Sequence, residues 1–266
     1  MMPCNDGPSA TFDVAVIGGG AAGAMAAIRA GINGARVALF ERNDSIGRKI
    51  LITGKGRCNI TNSAPMDVFV KKFGRSGNFL RSALYVFFND DIVEFFRSNG
   101  LEMKTERQGR VFPVTDRARS VVDVLVKCLA ENKVKIIYNA PIASVRAEGG
   151  LFRICPTGAD AVMARKVILA TGGISYKATG STGDGFMVAK GFGHTVAPLK
   201  AGLVPLTTKE EWVKDLQGLA LENIRIMFQA GKKKISSDIG ELMFTHFGVS
   251  GPLVLDLSGD VLALLG

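Results

Sequence analysis

Residues 14–23 read Val-Ala-Val-Ile-Gly-Gly-Gly-Ala-Ala-Gly, and Glu41 closes the next apolar run. Those residue types at that spacing can hold a pyrophosphate and a ribose. Gly18 permits a tight turn, Gly20 lets a backbone approach phosphate oxygens, and Gly23 lets a helix pack closely on a sheet. The helix start, with Ala21 and Ala22, offers free N–H groups and a positive dipole end. Glu41 supplies a carboxylate for ribose hydroxyls. Three glycines alone are a weak signal, but the flanking pattern agrees. Phe12–Ile17 is strand-like, Ala21–Ala30 helix-like and Ala35–Phe40 strand-like again, which implies a dinucleotide site on a βαβ unit.

Further elements must position these groups. Residues 1–11 read as a loose tail. Residues 42–66 form a long polar, Gly-rich connection anchored by Ile50-Leu51-Ile52, and a loop of that length in a folded domain is usually functional. Residues 67–131 read as mainly helical. Phe79, Phe87, Phe88, Phe95 and Phe96 are expected in the core, with Asn89 or Asp90 capping a helix that Gly100 ends. Gly109–Pro113 is a short extended piece. Asp116 is expected to cap a helix through Ala130. A third parallel strand at 134–138 and a small antiparallel meander over 141–164 follow. A buried strand at 166–170 then ends at Thr171-Gly172-Gly173. A second Gly-rich loop, 179–185, leads into a helix at 186–190. From about Gly202 the pattern turns to strands and loops, so the domains are placed at 12–201 and 202–266.

Bulk properties bound the partners. The chain has 266 residues, and 33 basic against 24 acidic side chains leave a net charge of +9. The charges are dispersed along the sequence, with Lys232-Lys233-Lys234 at an expected hairpin tip. A solvated surface therefore reads better than a nucleic-acid or membrane partner. Cys4, Cys58, Cys128 and Cys155 form no Cys-x-x-Cys pair, and with His194 and His246 as the two histidines no metal site is expected. His194 reads as a structural residue ahead of a strand. A reducing, cytoplasmic setting fits this cysteine usage. The apolar stretch 14–28 imitates a signal peptide but lacks a basic start. No internal repeat is evident.

Several longer motifs carry a resemblance. They are Gly47-Arg48-Lys49 running to Gly54-Lys55-Gly56-Arg57-Cys58-Asn59-Ile60-Thr61-Asn62, then Gly109–Pro113, Ala170–Gly173, Ser181–Gly185 and Phe244–Pro252. The chain resembles the bacterial NAD(P)/FAD-dependent oxidoreductase family that includes aminoacetone oxidase-like proteins and a bile-acid dehydro-steroid reductase. The resemblance covers nearly the whole sequence. It implies an α/β fold: a Rossmann-like, glutathione-reductase-like FAD-binding domain with an inserted, mainly β domain. It implies FAD as cofactor, with NAD(P)H as an electron donor and a small organic molecule as substrate. Carried over residue by residue, the cofactor set is Gly18, Gly20, Ala21, Ala22, Gly23, Glu41, Arg42, Arg48, Lys49, Thr53, Gly54, Gly56, Arg57, Cys58, Asn59, Thr171 and Gly172. Lys177 stands where the family commonly has proline. Relatives also continue further, through the rest of the insert and a return segment that completes the cofactor site. The chain is therefore expected to be a C-terminally truncated member that ends within the insert.

FAD would perform the electron chemistry, so no side chain need be a nucleophile. Cys58 beside Arg57 is a candidate reactive thiol, though a packing role reads better. His246 and Ser250 are candidates for orienting substrate or donating a proton. Three readings follow: a FAD oxidoreductase of a small molecule, a flavoprotein that modifies RNA, and a non-catalytic remnant or split protein needing a partner segment.

Overall fold

The apolar run that opens the chain becomes the centre of a sheet. The computed structural model describes residues 11–265. The expected tail lies outside the described residues apart from Thr11, which opens the first strand. In chain order, β1 (Thr11–Ile17) leads through the glycine turn to α1 (Ala21–Ile32) and β2 (Val37–Phe40). A short α2 (Arg48–Ile52) interrupts the long connection. β3 (Thr61–Asn62), α3 (Met66–Lys71), α4 (Gly77–Val86), α5 (Asn89–Ser98), β4 (Met103–Thr105), β5 (Arg110–Pro113) and α6 (Ala118–Glu131) follow. The chain then returns to the main sheet as β6 (Lys135–Ile137), β7 (Ile142–Glu148), β8 (Leu151–Pro156) and β9 (Val162–Leu169), and α7 (Asp184–Gly191) closes this part.

The main sheet has the order β6-β2-β1-β9-β8-β7. β6, β2, β1 and β9 run parallel, and β8 pairs antiparallel with both β9 and β7. Val16 and Leu39 are fully buried on one face beside α1 and α6, and Ala15, Ala38 and Phe40 are buried on the other. Burial on both faces explains why β2 is apolar throughout, Val37-Ala38-Leu39-Phe40. The turns after β1 and β9 meet at the carboxyl ends of adjacent strands, where ligands of such sheets bind.

Several expectations are corrected. The end of the meander expected over 141–164 and the buried strand expected at 166–170 are one strand, because β9 pairs with β8 through Val162–Ala164 and continues along β1 to Leu169. Within 67–131 the extended piece expected at 109–113 is β5, but a second strand, β4, is unexpected, and β5 pairs antiparallel with it and with β3 just upstream of this region. Phe96 is buried, but Phe79 and Phe87 are exposed, at 86% and 42%. The apolar period of α4 thus does not mark a core face. Asn89 and Asp90 lie inside α5, whose cap is Phe88: the Phe88 N–H donates to Asp91 Oδ2 at 2.7 Å. Asn89 is instead buried and donates to the Asn62 and Ala64 carbonyls. Asp116 is no cap either, since Arg117 occupies that position and the Asp116 side chain turns to Arg57 and Lys104. No strand follows His194 before Leu206.

The chain divides into two units, Met1–Val196 and Ala197–Gly266. The second contains β10 (Leu206–Thr207), β11 (Ala220–Ile224), β12 (Met227–Ala230), β13 (Lys233–Ser236), β14 (Gly240–Thr245), β15 (Gly248–Ser250) and α8 (Pro252–Leu265). Its main sheet is ordered β10-β15-β14-β11. The sequence pattern missed α8. Pro252 sits at its first position, where the missing N–H costs nothing, and the apolar residues Leu253, Val254 and Val261 are buried. Among the described residues no helix is long and apolar enough to cross a membrane.

Candidate functional site

The glycine turn is built by contact. Gly18 has φ +108°, and a Cβ there would lie 2.5 Å from the Ala170 carbonyl oxygen at the end of β9. A Cβ on Gly23 would lie 1.8 Å from the Gly18 carbonyl oxygen, so α1 packs against the turn only with glycine there. Gly20 differs: a Cβ there would meet nothing within 4 Å. It is the N-cap of α1, with no side-chain cap and no acidic residue in the first turn. The open helix start therefore faces space rather than protein, which suits an anion.

Glu41, at the end of β2, is 6% exposed. Its Oε2 accepts the Gly19 N–H at 2.8 Å, and its Oε1 accepts the Asn43 backbone N–H at 2.9 Å and the Asn43 amide at 2.6 Å. The carboxylate is thus oriented by both the glycine turn and the following loop. Oε1 already accepts two hydrogen bonds and Oε2 one, so of the roughly four lone-pair sites of a carboxylate the one left for a hydroxyl is on Oε2.

These groups line a cavity of about 690 Å³, within the roughly 300–1,000 Å³ typical of small-molecule and cofactor sites. Its wall includes Gly18, Gly20, Ala21, Ala22, Glu41, Arg42, Arg48, Lys49, Thr53, Cys58, Asn59, Thr171 and Gly172, all named from the sequence. Gly23, Gly54, Gly56 and Arg57 are not on the wall. Gly23 is consumed in packing. Arg57 forks onto Glu106 at 2.8 and 2.9 Å, reaches Asp116 at 3.2 Å, and lies 4.0 Å over the Phe112 ring. The Arg57 hydrogen bonds hold the Glu106 carboxyl below its ordinary range. This clamp fastens the Gly-rich loop to β4 and β5. Its cation is committed to carboxylates and does not serve Cys58. Burial pushes the Cys58 thiol up, so it stays neutral as a packing side chain would.

Sequence reasoning missed a second layer of polar contacts across the cavity. Arg42 donates to Thr182 Oγ1 and, at 2.8 Å, to Asp184 Oδ2. The Asn43 amide donates to the Thr179 carbonyl at 3.3 Å. Lys49 donates to the Ser175 carbonyl at 2.9 Å and to Ser181 Oγ at 2.7 Å. The loop after β9 is therefore strapped to the loop after β2. Asn43, Gly180, Ser181, Asp184 and Gly185 join the wall. The motif Ser181–Gly185 carried part of this signal, but its partners lie more than 130 residues away in sequence.

His246 and Ser250 belong to the second unit. His246 and Phe247 form the two-residue turn between β14 and β15, with their rings edge to face at 4.8 Å. Ser250 ends β15, just before α8. The residues on the cavity wall come from Ile17 to Val188.

The residues present fit an extended dinucleotide. Main-chain N–H groups at an open helix start, an oriented carboxylate and a lysine all border one cavity, whose wall also carries the apolar side chains Met25, Phe96, Val121 and Leu125.

Comparison with known proteins places the fold in a family. The HI0933-like protein Rossmann domain family matches residues 12–248. A 3-dehydro-bile acid delta(4,6)-reductase of Clostridium scindens is 36% identical over 250 residues, covering 93% of this chain and 60% of that protein. A ribosomal RNA dihydrouridine synthase of Escherichia coli is 33% identical over 250 residues, with the same coverage. The chain thus spans about three-fifths of the length of these curated relatives. Among solved structures, the open conformation of a flavocytochrome c3 fumarate reductase shares the fold, with TM-score 0.58 and 20% identity, over 82% of this chain and 48% of that one. The chain belongs to the HI0933-like flavoprotein family and carries its Rossmann domain.

Proposed function

We propose that the chain holds FAD in the cavity and that the protein reduces a carbon–carbon double bond conjugated to a carbonyl. The observation that carries the cofactor assignment is the open, uncapped start of α1 beside the oriented Glu41 carboxylate. The Ala21 and Ala22 amides would receive the pyrophosphate, Glu41 the adenosine ribose, and Lys49 and Thr171 groups further along the cavity. When bound, FAD supplies the two-electron chemistry, drawing on NADH or NADPH. The protein's part is to align the cofactor, exclude water with its apolar wall and keep the Cys58 thiol neutral. His246 and Ser250 stay candidates for orienting substrate.

The reaction class rests on the relatives' names. One is a delta(4,6)-reductase of a 3-dehydro bile acid, and two, from Escherichia coli and Haemophilus influenzae, are ribosomal RNA dihydrouridine synthases. Saturating a dienone and saturating a uracil are the same net addition of a hydride and a proton. A small-molecule enone is one substrate class. The second is uracil in RNA, favoured by the 33% and 30% identities to the two synthases.

The test is anaerobic. FAD-loaded protein is bleached with NADPH and then mixed with a 3-oxo-4,6-diene steroid or with a ribosomal RNA transcript. Return of the oxidised flavin bands with either one supports the reading and names the class. Bands that stay bleached with both contradict it.

A further inference from the structure

The lysine run is the tip of a two-stranded ribbon. β12 and β13 pair Met227 with Ser236, Phe228 with Ile235, Gln229 with Lys234 and Ala230 with Lys233. Gly231 and Lys232 make the two-residue turn, a connection that suits glycine at its first position. Cross-strand partners share a face. Phe228 and Ile235 are half-buried, whereas Met227, Gln229, Lys234 and Ser236 are exposed. α8 runs against both strands. The ribbon thus has one supported face and one open face, with Lys232, Lys233 and Lys234 all exposed at its end.

Charge is segregated here. No acidic residue occurs from Asn223 to Ser237, and Arg225 adds a fourth cation at the ribbon's base. The rest of Ala197–Gly266 has three lysines against eight acidic residues. Among the described residues none of these four cations makes an ion pair, whereas Arg42, Arg48 and Arg57 of the first unit are each held by a carboxylate. Four unpaired cations that repel one another without a local counter-charge favour binding a polyanion.

We propose that this basic ribbon is an RNA-docking element, in which Lys232, Lys233 and Lys234 contact phosphates and Gln229 and Ser236 offer hydrogen bonds to the sugar–phosphate backbone. It rests on the RNA reading of the substrate above. RNA is favoured over a lipid surface because the open face offers Gln229 and Ser236 as hydrogen-bonding groups beside the cations and, apart from Met227, presents nothing apolar to bury among acyl chains. Phosphate contacts of this kind position a substrate without reading its sequence. Although the cations are dispersed over the whole chain, the ribbon concentrates four of them on one short element.

The probe is a fluorescent ribosomal RNA stem-loop, titrated with the full chain from low to high KCl. Wild type is expected to bind with a steep salt dependence. Replacing Lys232, Lys233 and Lys234 together by Gln should flatten the log–log salt slope by about 2, since each phosphate contact contributes roughly 0.7–0.9. It should also weaken binding about tenfold at moderate salt. Replacing all three by Arg should retain binding. Circular dichroism and the thermal melt of each variant serve as the control for fold, because the lysines lie in the second unit and the cavity wall in the first. An unchanged affinity and slope in the Gln variant overturns the proposal. So does wild type that binds phosphatidylserine vesicles but not RNA. If the ribbon binds RNA yet RNA fails to re-oxidise the bleached flavin, the substrate reading falls while the docking role stands.

Discussion

Gly20 and Gly23 are three residues apart, yet they answer to different constraints. A Cβ on Gly23 would collide with the Gly18 carbonyl, whereas one on Gly20 would enter open space. Gly23→Ala should therefore lower stability by about 1–3 kcal/mol, the usual range for overpacking. Gly20→Ala should leave stability within about 1 kcal/mol while crowding the approach of a phosphate. Chemical denaturation of both variants, with a FAD titration of the second, checks this. Equal destabilisation by the two would contradict the assignment. The glycine roles were legible because a turn and a close helix approach are local demands. Arg57 was not: its motif neighbours suggested a cofactor contact, but Glu106 and Asp116, 49 and 59 residues away, claim the guanidinium. Asp116 shows the same override from the other side, as an apparent helix cap drawn instead into that ion cluster.

Among the elements, the parallel strands, α1 and α6 follow from apolar runs and periodicity that a buried sheet and its covering helices impose. The junction between the second Gly-rich loop and the loop after β2 was hidden, because nothing in either segment specifies Arg42–Asp184, Asn43–Thr179 or Lys49–Ser181. α8 was hidden because an apolar run interrupted by Gly259 gives no clear period. The strap has a measurable consequence. Its backbone carries Lys177 in a short turn between Tyr176 and Gly180. Asp184→Asn combined with Lys49→Met removes the ion pair and both lysine hydrogen bonds, so trypsin should cut after Lys177 several-fold faster than in wild type. Cleavage at the wild-type rate would show that these contacts do not hold the loop. In local-opening terms, the loop is kept shut by a few polar bonds rather than by buried apolar surface.

For the molecule as a whole, family membership is shown over residues 12–248, and the chain spans three-fifths of the length of its curated relatives. The first unit assembles the helix start, Glu41, Lys49 and Thr171 around one cavity from its own residues. The central claim is that this cavity is a FAD site. The most direct measurement is the visible absorption spectrum of the purified chain, taken before and after incubation with FAD and desalting. Retained flavin bands, lost or diminished in Gly20→Ala, are the expected result. A chain that is folded by circular dichroism and holds no flavin after desalting would contradict the claim.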